Sequence, residues 1–214
     1  MIVLDIEASG TDPYKHSMVS IGALDFTNPS KQFYAECRIW EGAHIMDEAL
    51  AVCGFTREQI TDQSKKTEGE IAAEFFEWIK DSPDHTTAGQ NPSFDRDFLK
   101  LAAERFHLNY PLAHRTLDVH SICHAHMVWR GIVPPIQHNR SALNSSAIQE
   151  YVGIPEEPHP HNALNGAKVA AEAISRLLYS KKLLPDFEHP IIKIGVLNRP
   201  SYSDSRHAAR SFEK

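Results

Sequence analysis

The sequence predicts an α/β domain in which helices cover a mixed sheet. Three apolar, β-rich runs open the chain, Ile2–Ile6, Met18–Phe26 and Phe33–Trp40. From Thr67 onward, amphipathic helical stretches alternate with short apolar segments. Strands first, then helix and strand in alternation, imply a mixed sheet rather than a bundle or a sandwich.

The elements follow in order. Ser9-Gly10-Thr11-Asp12-Pro13 is a turn-rich break between the first two strands, and Asn28-Pro29-Ser30 divides the second from the third, a link short enough for an antiparallel hairpin. Thr67 and Glu70 have the spacing of a capping box, and Ile71, Phe75, Trp78 and Ile79 then recur at helical spacing until Ser82-Pro83. Thr86–Gly89 reads as a short buried strand. Phe94–Phe106 reads as a helix with Phe98, Leu101, Ala102 and Phe106 on one side, and Arg115–Val119 as another strand. Two further helices are expected, one from about Ala142 to Tyr151 and one from Asn162 to Leu178. The second carries the clearest stripe: Ala163, Ala167, Ala170, Ile174, Leu177 and Leu178. No repeat, low-complexity tract or Gly/Ser linker divides the chain. One domain over residues 1–180 is expected, with 181–214 as a C-terminal extension, because the residues after Leu184 hold three prolines and no periodic pattern.

A chain of 214 residues with 42% hydrophobic and 23% charged residues has ordinary globular composition. No run approaches the ~18 apolar residues of a membrane span, and Asp5 interrupts the first apolar run at once, which argues against a membrane protein and a secretory signal. Cys37, Cys53 and Cys123 lie far apart without a CxxC pair, as suits a reducing cytoplasm. A net charge of −6 speaks against a broad electrostatic grip on a nucleic-acid backbone. It leaves room for an enzyme that meets phosphates through cations bound by carboxylates, since bound cations reverse the local sign.

Three constellations carry candidate chemistry. In Asp5-Ile6-Glu7, strand alternation sends both carboxylates to one face while Leu4 and Ile6 face the other. Two adjacent carboxylates repel, and a hard divalent ion with oxygen ligands, Mg²⁺ or Mn²⁺, relieves the repulsion. In Asn91-Pro92-Ser93-Phe94-Asp95, a polar turn after a buried strand delivers Asp95 to a helix start, where an acid could serve simply as a cap. A third carboxylate at the end of the same sheet looks instead like part of a metal site. In Pro160-His161-Asn162-Ala163-Leu164-Asn165-Gly166, a histidine precedes the most regular helix; with 13 histidines in the chain it would count for little alone.

Together, Asp5-Ile6-Glu7-Ala8-Ser9-Gly10, Asn91-Pro92-Ser93-Phe94-Asp95 and His161-Asn162-Ala163-Leu164 resemble the three motifs of the DEDDh 3′–5′ exonucleases, the family of ribonuclease T, oligoribonuclease and the proofreading subunit of DNA polymerase III. The resemblance covers roughly residues 1–180 in matching order and spacing. Ala49–Thr56 resembles the segment after the hairpin in these enzymes, and Asp118 sits where many members have an aspartate at the end of the fifth strand. The resemblance implies a ribonuclease H-like, five-stranded mixed sheet flanked by helices.

It also implies an activity: hydrolysis of phosphodiester bonds from the 3′ end of DNA or RNA by two Mg²⁺ or Mn²⁺ ions, releasing nucleoside 5′-monophosphates. Asp5, Glu7 and Asp95 would be metal ligands, and His161 the general base, a side chain that titrates near neutral pH. Ala8, Ser9, Asn91 and Phe94 would face the terminal nucleotides. Ser9 keeps the hydroxyl of the more usual Thr, and Phe94 has a competing reading as a buried helix-start residue. Partners implied are single-stranded 3′ ends, with a homodimer or a polymerase-associated partner as further expectations.

One position departs from the family. The third motif places an aspartate ligand five positions after the histidine, and this chain has Gly166 there. Asn165 is no replacement, since neighbouring helix positions point about 100° apart and Asn is neutral. One of the two ions should therefore be weak or absent and the activity reduced. A naturally weakened enzyme, a pseudo-enzyme and a deliberately disabled variant all remain open. The competing function is a nuclease-fold protein that binds single-stranded ends or a protein partner without cutting. Outside these motifs, His120, Cys123, His124 and His126 cluster on a helix without the second ligand pair that a zinc site needs. From Lys193 onward five Lys/Arg face two acids, as in a solvated tail or a nucleic-acid contact.

Overall fold

The sheet is organised around its first strand. The computed structural model describes residues 1–188; the basic stretch from Lys193 lies outside the described residues. β1 (Ile2–Ala8) pairs antiparallel with β2 (Met18–Asp25), and β2 in turn with β3 (Asn28–Glu36). Three helices follow, α1 (Asp47–Cys53), α2 (Arg57–Thr61) and α3 (Glu68–Ile79). β4 (Thr87–Gly89) then pairs parallel with β1, α4 (Pro92–Arg105) follows, and β5 (Thr116–Asp118) pairs parallel with β4. The five strands lie in the order β3-β2-β1-β4-β5. The chain closes with α5 (Val119–Trp129), a small hairpin of β6 (Ile136–Gln137) and β7 (Arg140–Ser141), α6 (Ser145–Val152) and α7 (Ala163–Tyr179). Among the described residues no helix is long and apolar enough to cross a membrane.

Two cores follow from the alternation of β1. Ile2, Leu4 and Ile6 pack with Phe75 of α3 and with Phe98 and Leu99 of α4 on one face. Val3, on the other face, packs with residues of α5, α6 and α7, including Cys123, Ile148, Ala170 and Ile174. Asp5 and Glu7 share the face of Val3, so the strand that builds both cores also directs its two acids toward α7.

The hairpin is tighter than expected. β3 starts at Asn28, not Phe33, and ends at Glu36, so Asn28-Pro29-Ser30 lies within the strand and Trp40 beyond it. The turn is Phe26-Thr27, held by Asp25 Oδ1, which accepts from Thr27 N (2.9 Å) and Thr27 Oγ1 (2.7 Å). Pro29 is tolerated because β3 is an edge strand, where a missing N–H costs no ladder bond. Thr67 and Glu70 form the expected capping box on α3. α6 begins later than expected, at Ser145, because Asn144 caps it by accepting from Ala147 N (2.9 Å). α4 begins earlier, with Pro92 in the first turn, where its lack of an N–H is harmless.

Two contacts set where α7 lies. At Gly22 on β2, a Cβ would stand 2.1 Å from Leu164 N, so the helix start rests directly on strand backbone. Near its other end, Arg176 and Glu172 form a fully buried ion pair (2.7 Å). Arg176 also donates to the carbonyls of Val152 and Gly153, while Glu172 Oε2 accepts from Leu183 N and Leu184 N. Leu184 and Phe187, the first part of the C-terminal extension, are thereby buried against the α7 core.

Candidate active site

β1 and β4 run together only briefly. Their register couples Ile2 to Thr87 and Val3 to Ala88, and the strands then part. Such a gap at the carboxyl ends of parallel strands is where α/β proteins place ligands. On this edge Ile2 N donates to Thr86 O, but Ile6 N, four residues on, has no strand partner and donates to Asp95 Oδ1 (2.9 Å). Asp95 thus reaches from α4 to the first strand. The turn that delivers it passes through Asn91 in the left-handed region (φ 52°), whose N–H donates to Asp118 Oδ1 at the end of β5 (3.1 Å).

α7 closes the other side. Asn162 caps it, accepting from Leu164 N (3.0 Å) and Asn165 N (3.3 Å). Asn165 points to solvent, as helical spacing requires, and Gly166 faces Asp5 so closely that a Cβ would lie 2.1 Å from Asp5 Oδ2. His161 is held just outside the helix by its backbone N–H, which donates to Val52 O (3.0 Å), and its ring stacks on His159. Asp5, Gln90, Gln149, Glu157, His161 and Gly166 line one cavity of about 200 Å³.

The electrostatics of this crevice are those of crowded acids. Burial raises the carboxyl of Asp5 well above its ordinary range, and the charges of Asp95, Glu7 and Glu157 raise it further. Burial, then Glu157, pushes Glu7 up to about 7. Asp95 is also raised, by burial first, against the lowering effect of the backbone bonds it accepts. Among the described residues, none of the charges that perturb Asp5 or Glu7 is a lysine or arginine. Buried carboxylate oxygens that repel one another without a cationic side chain are the donor set of a hard divalent ion. The fit is one of donor chemistry: among the described residues no three His, Cys, Asp or Glu side chains stand ready to hold an ion without rearrangement.

The nucleotide-facing candidates are placed less uniformly. Ala8 is buried at the bulge where β1 leaves its register with β2. Ser9 is fully buried. Its N–H donates to Ser17 O, its carbonyl accepts from Met46 N, and its hydroxyl donates to His44 O and accepts from Ser17 N, so the residue braces the rim from inside. Asn91 is exposed and accepts from Ser93 Oγ (3.0 Å). Phe94 is half-buried against Phe98, with ring centroids 4.8 Å apart. Away from the site, Cys123 is buried in the core while His120 pairs with Ser141 Oγ and His126 with the Tyr151 hydroxyl, so these α5 residues serve separate contacts. Glu157, Gln90 and Gln149 line the cavity without having been singled out in the sequence; for Glu157 the available signal was an acid four positions before His161.

The family model described as Exonuclease matches residues 2–174. The chain belongs to the DEDDh 3′–5′ exonuclease family. The 3′–5′ DNA exonuclease Cap18 of Escherichia coli is 30% identical to this chain over 193 residues, covering 85% of this chain and 95% of the relative. Among solved structures, the zinc-bound E. coli ExoI–ssDNA complex superimposes with a TM-score of 0.68 at 17% identity, over 84% of this chain and 40% of that one. The nuclease domain of 3′hExo bound to rAMP, a DEDDh member, gives 0.64 at 18% identity, over 86% and 93%. At these identities the structures speak for the fold alone, a ribonuclease H-like sheet flanked by helices. The chain spans less than half the length of the ExoI chain it matches.

Proposed function

We propose that this protein removes nucleotides from single-stranded 3′ ends by metal-dependent hydrolysis, releasing nucleoside 5′-monophosphates. What supports the reading is the mutual repulsion of Asp5, Glu7 and Asp95, with no basic side chain among the charges that perturb Asp5 and Glu7, together with the bond from Ile6 N, between the two strand acids, to Asp95 Oδ1. Asp5, Glu7 and Asp95 would hold Mg²⁺ or Mn²⁺, on which the family generally depends, two ions in the family scheme. Bound there, the cations would polarise phosphoryl oxygens and neutralise charge on phosphorus.

The remaining work falls to the chain. His161, which lines the cavity, would take the proton of the attacking water as general base. The bond of Asp95 to Ile6 N holds α4 and β1 at a fixed separation, which keeps the carboxylates in register with a phosphate entering between them. The relative named a 3′–5′ DNA exonuclease, together with ExoI in complex with ssDNA, supports DNA 3′ ends as the substrate.

Gly166 supports a second reading, a protein that holds such ends without cutting them, and in the first reading it makes the enzyme weak. One experiment separates the two: a 5′-labelled single-stranded oligonucleotide is incubated with the full chain and Mn²⁺. Stepwise shortening with release of 5′-mononucleotides, lost in Asp5→Asn, supports hydrolysis. Retention of the oligonucleotide at full length in a stable complex, in both backgrounds, supports the binder.

A further inference from the structure

If the site holds cations, it is short of one anionic ligand at Gly166, and Asp5 Oδ2 already occupies the space beside that α-carbon. Among the described residues, the one other acid lining the cavity comes from the loop ahead of α7. Glu157 lies in the segment between α6 and α7, whose course is stiffened by Pro155, Pro158 and Pro160 and anchored where His161 N donates to Val52 O. Its Oε1 accepts from Asn162 N (3.3 Å), the residue that caps α7 and whose carbonyl receives the N–H of Gly166 (2.9 Å). The Glu157 carboxylate is thereby tied to the first turn of the helix that carries Gly166. It is half-buried, lines the same cavity as Asp5, His161 and Gly166, and acts electrostatically on both Asp5 and Glu7. Its immediate neighbour Glu156 points the other way, to solvent and Ser146 Oγ.

We propose that Glu157 supplies the fourth carboxylate of the cation site, from the loop ahead of α7, in place of the ligand missing at Gly166. The proposal rests on the metal-dependent reading above. Gly166 and Glu157 then form a matched pair: the glycine leaves Asp5 room to turn toward the helix, and the glutamate restores the lost charge from the loop that leads into that helix. A purely structural role, in which Glu157 only caps Asn162 N, would need the oxygen acceptor but not the negative charge.

The test is Mn²⁺ binding to the full chain, read by electron paramagnetic resonance of the free ion, for the wild type, Glu157→Gln, Asp5→Asn and the double variant Glu157→Gln/Gly166→Asp. Gln keeps an acceptor for Asn162 N, so a metal-free melting temperature equal to or above that of wild type verifies the fold. Glu157→Gln is expected to weaken Mn²⁺ by about tenfold or more, in the range that loss of a supporting group at a metal site produces. The double variant is expected to regain most of the loss. Unchanged Mn²⁺ affinity in Glu157→Gln, with affinity lost in Asp5→Asn, overturns the role of Glu157 and leaves the cation site standing. Unchanged affinity in both variants overturns the cation site, and the role of Glu157 with it.

Discussion

The carboxylate of Asp5 rests against the bare α-carbon of Gly166: a methyl group there would lie 2.1 Å from Oδ2 and 2.8 Å from Cγ. The first strand and the last helix meet at this point, and the orientation of Asp5 and the absence of a side chain at 166 are one structural feature. What stands in the way is the end of a rotatable side chain. A residue at 166 is thus admissible if Asp5 turns back toward Glu7 and Asp95.

In the Glu157→Gln background, where no loop carboxylate can stand in for the missing ligand, Gly166→Asp is expected to raise Mn²⁺-dependent release of mononucleotides by about tenfold or more, because rate depends steeply on how firmly the reacting groups are placed. Comparison of initial rates at saturating Mn²⁺, with the same DNA end, gives the answer. Equal rates would mean that position 166 is not where a ligand belongs.

The acids also predict a pH dependence of stability. Folded, Glu7 keeps its proton up to about pH 7, against an ordinary 4.5. Between those values the native state binds a proton that the unfolded chain releases. The stability this group provides is complete below the lower value and is lost as pH rises through the upper one, at up to ~1.4 kcal/mol per pH unit. Asp5 and Asp95 shift in the same direction. With metal chelated, the melting temperature should fall between pH 5 and 8 by more than it does in Asp5→Asn. Mg²⁺ should raise the melting temperature more at pH 8 than at pH 5.5. A flat difference between chelated and Mg²⁺-loaded samples would rule the mechanism out.

At Asp95 a structural bond and the proposed cation role can be separated by substitution. Its Oδ1 satisfies Ile6 N, a strand N–H with no partner on β4. Asp95→Asn keeps an oxygen acceptor but removes the charge, so it should melt near or above wild type while losing Mn²⁺ affinity and nuclease activity. Asp95→Ala leaves Ile6 N unsatisfied and should cost ~1–3 kcal/mol as well. Urea denaturation of the two variants, alongside Mn²⁺ titration, distinguishes the contributions.

What the sequence revealed and what it hid divide along the range of the interactions. The capping box of Thr67 and Glu70 was readable because both partners lie within one turn, and the shared face of Asp5 and Glu7 because a strand alternates. The start of β3 was not, because the Asp25 side chain builds the turn and an edge strand alternates exposed with half-buried residues rather than showing an apolar run. The inward-turned Ser9 depends on His44 and Ser17, and the bond from Ile6 to Asp95 spans 89 positions. Glu157 was hidden for the same reason: a loop acid has no period to betray it, and only the path imposed by the prolines and by Val52 brings it to the cavity.

The seat of α7 beneath the site depends on the buried pair of Glu172 and Arg176. Arg176 is 1% and Glu172 0% exposed, so neither charge can turn to water if the other is removed. Glu172→Gln should therefore cost up to about 3–5 kcal/mol, the range for removing one member of a buried ion pair. Replacing both, as Glu172→Leu/Arg176→Met, should recover part of that loss in urea unfolding, since the desolvation penalty disappears with the charges. It will not recover all, because Leu183 N and Leu184 N lose the acceptor that Glu172 Oε2 provides. The double variant should also retain Mn²⁺ affinity wherever it is folded, because the pair steadies the far end of the helix and not the turn that carries Gly166. A double variant as unstable as the single one would show that the pair's value lies in its hydrogen bonds to the backbone rather than in its charges.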